Sequence, residues 1–416
     1  MSKLDELINE ICPDGVEYKR ICEFADTNIG LATSVTANKA NSGVQLLHNS
    51  DIQPNKIVVK KYEYVKEFFA EKNKKKVFKL HDIITVHTGD VGTSAVIEKE
   101  YVGTIGFTTI TTRIRNFDEV DPYYLCHYLN SHRCKSDIAK DTISDRNNLN
   151  QKSFEQLQIP LPDLRIQREI VHILDSFTLL TAELTAELTA RRQQYEFYRD
   201  YLLNFEDDSY SLADEFGTIT NKGIIYEKMG KVCLLKAGKS IPSVQISNIE
   251  SSTFQYACYG GNGIRGYVAD YNYDGDYPLI GRQGALCGNV NYARGKFYAT
   301  EHAVVVSTDV FDKRFLFHLL TNLKLNQYKT AGAQPGLSVK TLNEVVIPVP
   351  PIETQKKIVA ILDRFDKLAN DMSEGLPAEI EARKQQYEYY RDVLLSFDEE
   401  RRSQFIKVER ERAVPQ

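Results

Sequence analysis

Arg191-Arg192-Gln193-Gln194-Tyr195-Glu196-Phe197-Tyr198-Arg199-Asp200 is answered later in the chain by Arg383-Lys384-Gln385-Gln386-Tyr387-Glu388-Tyr389-Tyr390-Arg391-Asp392. A period near 190 residues is too long for a solenoid, whose units run about 20–50 residues. It indicates a duplicated large domain, and therefore one chain with two similar tasks at two places.

The duplication extends outward from these blocks. Ile159-Pro160-Leu161-Pro162 matches Ile347-Pro348-Val349-Pro350. Gln167, Ile170, Leu174, Asp175 and Phe177 meet Gln355, Ile358, Leu362, Asp363 and Phe365 at the same offset of 188. Upstream, Gly15-Val16-Glu17-Tyr18-Lys19 resembles Gly223-Ile224-Ile225-Tyr226-Glu227. Between the matching parts lie 23–155 and 231–343, which share only short matches such as Tyr123–His127 with Arg314–His318. A common frame holding two diverged inserts is the logic of one scaffold reading two different things. The boundaries read as a first domain with an N-terminal helix over 1–155, a helical spacer over 156–210, a second domain over 211–345, a second spacer over 346–400 and a tail over 401–416.

A chain of 416 residues is long enough for two or three domains with cores of their own. With 42% hydrophobic and 26% charged residues it reads as an ordinary globular protein. No apolar run approaches the roughly 20 residues of a membrane span. Acidic Asp5 and Glu6 stand where a secretory signal would be apolar. The seven cysteines form no CxxC pair, which fits reduced thiols in a cytoplasmic protein better than disulfides or a zinc site. The net charge of −5 argues against a simple basic DNA-binding module, although a chain average can hide a basic face.

After Pro162 the pattern turns helical. Ile166, Ile170, Ile173 and Leu174 form a stripe continued by Phe177, Leu180 and Leu184, with Asp163 as N-cap. No Gly or Pro interrupts 165–204, which predicts about 60 Å of helix. The second frame helix starts near Glu353 and meets Gly375-Leu376-Pro377, where a kink or short break is expected before a restart at Ala378. Each long amphipathic helix needs a partner, and antiparallel packing of 165–204 against 354–397 is the economical solution. The tandem Thr181-Ala182-Glu183-Leu184-Thr185-Ala186-Glu187-Leu188 has two readings. It is a repetitive patch of good helix formers, or a ruler in which each copy adds about 6 Å and about 40°.

The inserts read as short strands with Gly, Asn and Asp turns, giving an irregular mixed or antiparallel sheet with a few helices. Strands are expected at 56–59, 82–86, 94–97 and 109–114, then at 277–280, 288–290 and 303–306, with helices at 121–140 and 311–326. Turn-rich loops fall at 88–93, 260–266 and 281–285. Glycine lets backbone approach a partner closely. Thr88, Asp90, Asn262, Arg282 and Gln283 are then candidates for reading base edges, Arg for guanine and Gln for adenine. The plainer reading is hairpin turns with solvated polar tips. Lys74, Lys75, Lys76 and Arg146 in the first insert, and Lys239 and Arg265 in the second, are candidate phosphate contacts or simply solvated faces.

Catalytic patterns are missing. Lys236-Ala237-Gly238-Lys239-Ser240 lacks the first glycine of a phosphate loop, since Cys233 occupies its place. The eight histidines form no metal-ligand spacing, and Glu301-His302 lacks an identifiable catalytic partner.

The ordered set Asp14-Gly15-Val16-Glu17-Tyr18, the repeated Ile-Pro-x-Pro, the repeated Gln-x-x-Ile-x-x-x-Leu-Asp and the two Gln-Gln-Tyr-Glu blocks resembles the specificity subunit of Type I restriction-modification systems along essentially the whole chain. The resemblance implies an α+β protein: two mixed α/β target recognition domains joined by two long antiparallel helices in a pseudo-twofold arrangement. Each domain would read one half of an asymmetric bipartite site in double-stranded DNA. The helices would fix the unread gap and dock two methyltransferase subunits, with Gln167, Leu174, Tyr195, Tyr198, Gln355, Leu362, Tyr387 and Tyr390 as spacer and docking residues. Restriction and translocase subunits would join the assembly. The chain itself would be non-catalytic and without cofactors, while its partners use S-adenosylmethionine, ATP and Mg2+. Two other readings are a helical adaptor without sequence-selective DNA binding and a stand-alone enzyme sited in the second insert.

Overall fold

A proline has no N–H to give a β-ladder, so a segment with two prolines can pair only where one side stays free. Both Ile-Pro-x-Pro segments do this in two-stranded antiparallel ribbons. Gln158–Pro160 pairs with Tyr18–Arg20, placing Tyr18 opposite Pro160. Val346–Val349 pairs with Ile225–Lys228, placing Tyr226 opposite Pro348. The computed structural model describes residues 3–397 other than 14, 32, 142–147, 206–210, 215–216, 221–222, 285, 331–335 and 371–374. The 401–416 tail, Asp14 and Arg146 therefore lie outside the described residues.

Packing divides the chain into two units, Met1–Glu183 with Ile380–Gln416, and Leu184–Glu379. Two mixed α/β domains are connected by long helices. The first helix runs unbroken from Leu164 to Leu202, and the tandem tetrapeptide lies inside it. Asp163 caps it as expected, its carboxylate accepting the Arg165 N–H at 2.9 Å. The second is divided into Ile352–Asn370 and Leu376–Leu394, a break where the Gly-Leu-Pro sequence predicts one. The restart comes at Leu376, ahead of the expected Ala378, because proline is tolerated in a first helical turn.

In each unit the repeated glutamine is a buried staple. Gln167 Oε1 accepts the Asp121 N–H at 2.9 Å, and its Nε2 donates to the carbonyls of Glu119 and Pro162 at 2.9 and 2.8 Å. Gln355 does the same with the Asp312 N–H at 2.7 Å and the carbonyls of Val310 and Pro350 at 3.5 and 2.8 Å. Asp121 and Asp312 are the N-caps of the domain helices Pro122–Leu129 and Lys313–Asn322. One amide thus ties the proline segment to the start of the helix in each domain.

A buried histidine on each of those helices completes the joint. His127 Nδ1 meets the Tyr387 hydroxyl at 3.0 Å, and its Nε2 meets Asp175 Oδ1 at 3.1 Å. In the second unit His318 Nδ1 meets the Tyr195 hydroxyl at 3.2 Å, and its Nε2 meets Asp363 Oδ1 at 2.8 Å. Burial tends to raise the Asp363 carboxyl, but hydrogen bonds from His318 and Arg314 hold it down at about 2. Phe177 stacks on Tyr390 at 5.1 Å and, equivalently, Phe365 stacks on Tyr198 at 5.2 Å.

Each insert builds two four-stranded sheets. In the first, Ala25–Ile29, Thr109–Ile114, Ile83–Val86 and Ser94–Val96 lie side by side and antiparallel. In the second insert the matching sheet is Leu234–Ala237, Ala303–Ser307, Tyr277–Gly281 and Val290–Ala293. The other sheet of each insert contains one parallel pair, Val44–His48 with Ile105–Phe107, and Tyr256–Gly260 with Lys296–Ala299. Several boundaries differ from expectation. The strand at 56–59 contracts to Lys56–Ile57, and that at 288–290 starts only at Val290. The helical stretch 121–140 is two helices, Pro122–Leu129 and His132–Asp141. Most of the 260–266 run is not loop but a β-hairpin, Tyr256–Gly260 with Gly263–Val268. Gly266 serves there to admit the Ser247 backbone, whose carbonyl oxygen would lie 2.5 Å from an added Cβ.

The staple is testable. Gln355→Ala leaves an N–H and two carbonyls without their partner, and should cost about 2–4 kcal/mol in denaturant unfolding. Gln355→Glu should be comparably destabilising, since a carboxylate cannot donate to Pro350 and Val310. Wild-type stability in either variant would remove the staple from the list of supports.

Candidate nucleic-acid interface

At one end of the antiparallel sheet of the first unit, the chain turns through 87–93 between Ile83–Val86 and Ser94–Val96. Gly92 sits at φ +88, where a side chain is strained. The His87 N–H donates to the Thr108 carbonyl at 3.2 Å, and the His87 carbonyl accepts the Leu149 N–H at 2.9 Å. Thr88 pairs with Asn148 as an isolated bridge, its hydroxyl donating to Asn148 Oδ1 at 2.8 Å. His87 Nδ1 lies 2.9 Å from that hydroxyl, and Asn49 Nδ2 donates to the Thr88 carbonyl at 2.6 Å. Partial burial lowers the pKa of His87 from its ordinary value, favouring the neutral ring. Asp90 accepts from the Thr93 hydroxyl at 2.6 Å, which in turn accepts from Lys135 Nζ at 2.8 Å.

The second unit repeats this backbone pattern with other side chains. The Arg282 N–H donates to the His302 carbonyl at 2.9 Å, and the Arg282 carbonyl accepts the Leu337 N–H at 2.8 Å. Gln283 forms the isolated bridge, here with Gly336. Arg282 therefore stands where His87 stands, Gln283 where Thr88 stands, and His302 where Thr108 stands. Asn262 caps the neighbouring hairpin tip, its Oδ1 3.4 Å from Asn289 Nδ2. The tip is pressed onto this strand end, because a Cβ on Gly281 would lie 1.9 Å from the Gly261 carbonyl oxygen.

The structure thus gathers Asn262, Arg282 and Gln283 in the second unit, and Thr88 and Asp90 in the first. Lys76 reaches the Gly30 carbonyl at 3.0 Å, close to the Thr109 end of the same sheet. Lys74 is exposed beside Glu71 at 3.7 Å, and Lys75 is exposed. Lys239 is exposed next to the turn after Lys296–Ala299, its N–H bonded to the Ala299 carbonyl at 3.0 Å. Arg265 lies on the hairpin and donates to Ser243 Oγ at 2.8 Å. Of the spacer residues, Gln167, Leu174, Tyr195, Gln355 and Leu362 are buried in their own units, while Tyr198, Tyr387 and Tyr390 are half-buried. Sequence reasoning missed His87, Asn49, Thr108 and Asn148. They are single polar residues far apart in the chain, and only the fold assembles them. Among the described residues, no group of three or more His, Cys, Asp or Glu could hold a metal ion. Among them too, no helix is long and apolar enough to cross a membrane.

The profile of the Type I restriction modification DNA specificity domain matches this chain twice, over residues 13–191 and 213–382. The chain belongs to the Type I restriction-modification specificity-subunit family. It is 36% identical over 391 residues to the Type I restriction enzyme EcoprrI specificity subunit of Escherichia coli, covering 90% of this chain and 92% of that protein. Its fold is shared with a solved Type I restriction-modification S subunit from M. genitalium, at a TM-score of 0.55, 15% identity and coverage of 92% and 97%. A chain from a structural study of complex assembly and conformational transition in the Type I system matches at a TM-score of 0.60, with 19% identity and coverage of 92% and 98%. A specificity subunit is the DNA-recognition component of its system and is not itself catalytic.

The close packing of the hairpin tip gives a direct check on this specificity subunit. Gly281→Ala must displace the Gly261 backbone and should destabilise the protein by about 1–3 kcal/mol. Gly260→Ala meets only ordinary contacts, the nearest at 3.7 Å, and should cost about 1 kcal/mol or less. Denaturant unfolding of the pair reads the difference.

Proposed function

We propose that each recognition domain reads one half of an asymmetric bipartite site in double-stranded DNA. The observation that carries this reading is the loop cluster found in both units, held by the same backbone hydrogen bonds and furnished with different side chains. A single scaffold used twice with different polar tips is suited to two different short sequences. Thr88, Asp90, Asn262, Arg282 and Gln283 face base edges in this reading. Lys74, Lys75, Lys76, Lys239 and Arg265, with Arg146, supply phosphate contacts that fix register without reading sequence.

The long helices set the number of unread base pairs and dock two methyltransferase subunits. The buried spacer residues hold those helices in place, and the half-buried Tyr198 and Tyr390 contribute to the surface offered. Restriction and translocase subunits complete the complex. Methyl transfer from S-adenosylmethionine and Mg2+-dependent ATP hydrolysis belong to these partners.

Co-expression with the methyltransferase subunits, followed by genome-wide mapping of methylated adenines, should give a bipartite motif with one fixed gap. Absent or unpatterned methylation would overturn the reading. The helix makes a second prediction. Inserting one further Thr-Ala-Glu-Leu copy after Leu188 adds about 6 Å, the scale of one or two base pairs at about 3.4 Å each. The mapped gap should widen with both half-sites unchanged; altered half-sites would count against a ruler.

A further inference from the structure

Three side-chain atoms in the second domain are buried and have no hydrogen-bond partner among the described residues: Arg282 Nε, Glu301 Oε2 and His302 Nδ1. They belong to one cluster. The Arg282 N–H holds the His302 carbonyl at 2.9 Å, and His302 Nε2 lies 3.3 Å from Glu301 Oε1. Native proteins satisfy nearly all buried polar atoms, so three unsatisfied ones together require an explanation. The first domain fills the equivalent place with other side chains, although Thr109 Oγ1 beside it also lacks a hydrogen-bond partner among the described residues. There His87, Thr88, Asn148 and Asn49 close a hydrogen-bonded network.

The backbone beneath the cluster is closely packed. A Cβ on Gly238 would lie 2.1 Å from the Ala299 carbonyl oxygen, and one on Gly281 would lie 1.9 Å from that of Gly261. The turn carrying Glu301 and His302 and the strand end carrying Arg282 are therefore held by main-chain contact. The side chains of Glu301 and His302 are 39% and 36% exposed and form an ion pair with each other when the imidazole is protonated. A change of side-chain torsion, common at interfaces on binding, suffices to present them outward.

We propose that Arg282, Glu301 and His302 are the base-reading cluster of the second domain. Arg282 donates to a guanine, and Glu301 accepts from the exocyclic amino group of a cytosine or adenine. His302 is a positioning residue that orients Glu301. The chemistry fits the major-groove code, in which a guanidinium matches guanine O6 and N7, and a carboxylate matches only an amino donor. The assignment rests on the DNA-reading function proposed above and adds the residues and the base chemistry.

The test uses the complete complex with its methyltransferase subunits. Arg282→Lys keeps the charge but loses the planar fork. Glu301→Gln keeps the shape but adds a donor. Mapped methylation should relax at one position for each variant, both in the same half-site, with discrimination at that base falling about tenfold or more. The other half-site and the gap should stay as in wild type. A wild-type bipartite motif left unchanged by both variants would overturn the cluster while leaving the bipartite reading intact. Absence of any bipartite motif in the wild type would instead overturn that reading.

A second measurement needs no variant. Wild-type complex is titrated with duplexes of its mapped site carrying 7-deazaguanine, which lacks the N7 acceptor, at single guanines. Loss of affinity at one guanine supports the assignment. Equal affinity for every substituted duplex refutes the Arg282–guanine contact.

Discussion

In each domain a buried imidazole lies between a carboxylate on a helix of its own repeat and a phenol on a helix of the other. His127 is held by Asp175 and Tyr387, and His318 by Asp363 and Tyr195. The imidazoles are buried while Asp175 and Asp363 are 57% and 37% exposed, so water screens the carboxylate end of each network and the ring itself depends on its protein partners. The histidine sits on the domain helix whose N-cap is already fixed by the repeated glutamine. Two polar joints therefore define where that helix, and the sheet packed on it, stand against the helical frame. Further polar contacts come from Arg314, which donates to Asp363 at 2.6 Å, and from Asn55, which donates to the Tyr387 hydroxyl at 2.6 Å, with Ile170, Leu174, Ile358 and Leu362 buried alongside.

The frame was legible in the sequence because its chemistry is repeated. Gln167 and Gln355, Asp175 and Asp363, and Tyr195 and Tyr387 mark themselves by recurring in one order. Their partners were less legible: His127 and His318 appeared only as the ends of two short aromatic matches. The reading surface was harder still. The Arg282-Gln283 pair stood out on its glycine-rich loop, but the His87 counterpart depends on Asn49, Thr108 and Asn148. No local pattern links residues that meet only across a sheet end. The glycine run at 260–266 misled for a physical reason. Glycine admits a tight turn, and it equally admits close backbone approach within a strand, as Gly266 does.

The two kinds of segment answer different demands. The frame is built from side-chain bonds that tolerate little change, such as an amide that must both donate and accept. The loop cluster is built from main-chain bonds, Arg282 to His302 and Leu337 in one domain and His87 to Thr108 and Leu149 in the other. Main-chain bonds do not depend on which side chain they carry. The scaffold can therefore keep its shape while the residues at its tips diverge, as Thr88 and Gln283 have done.

The division of the chain also bears on how it is made. The second unit is one continuous stretch, Leu184–Glu379, whereas the first needs both Met1–Glu183 and the segment from Ile380 onward. Tyr387 reaches His127 across 260 residues of chain. As synthesis runs from the N-terminus at about 5–20 residues per second, the first domain to be translated is the last to be completed. Until the C-terminal helix emerges, the pocket around His127 has no phenol to close it. Helix Leu376–Leu394 is thus the closing latch of a domain that was begun at the ribosome well before its neighbour.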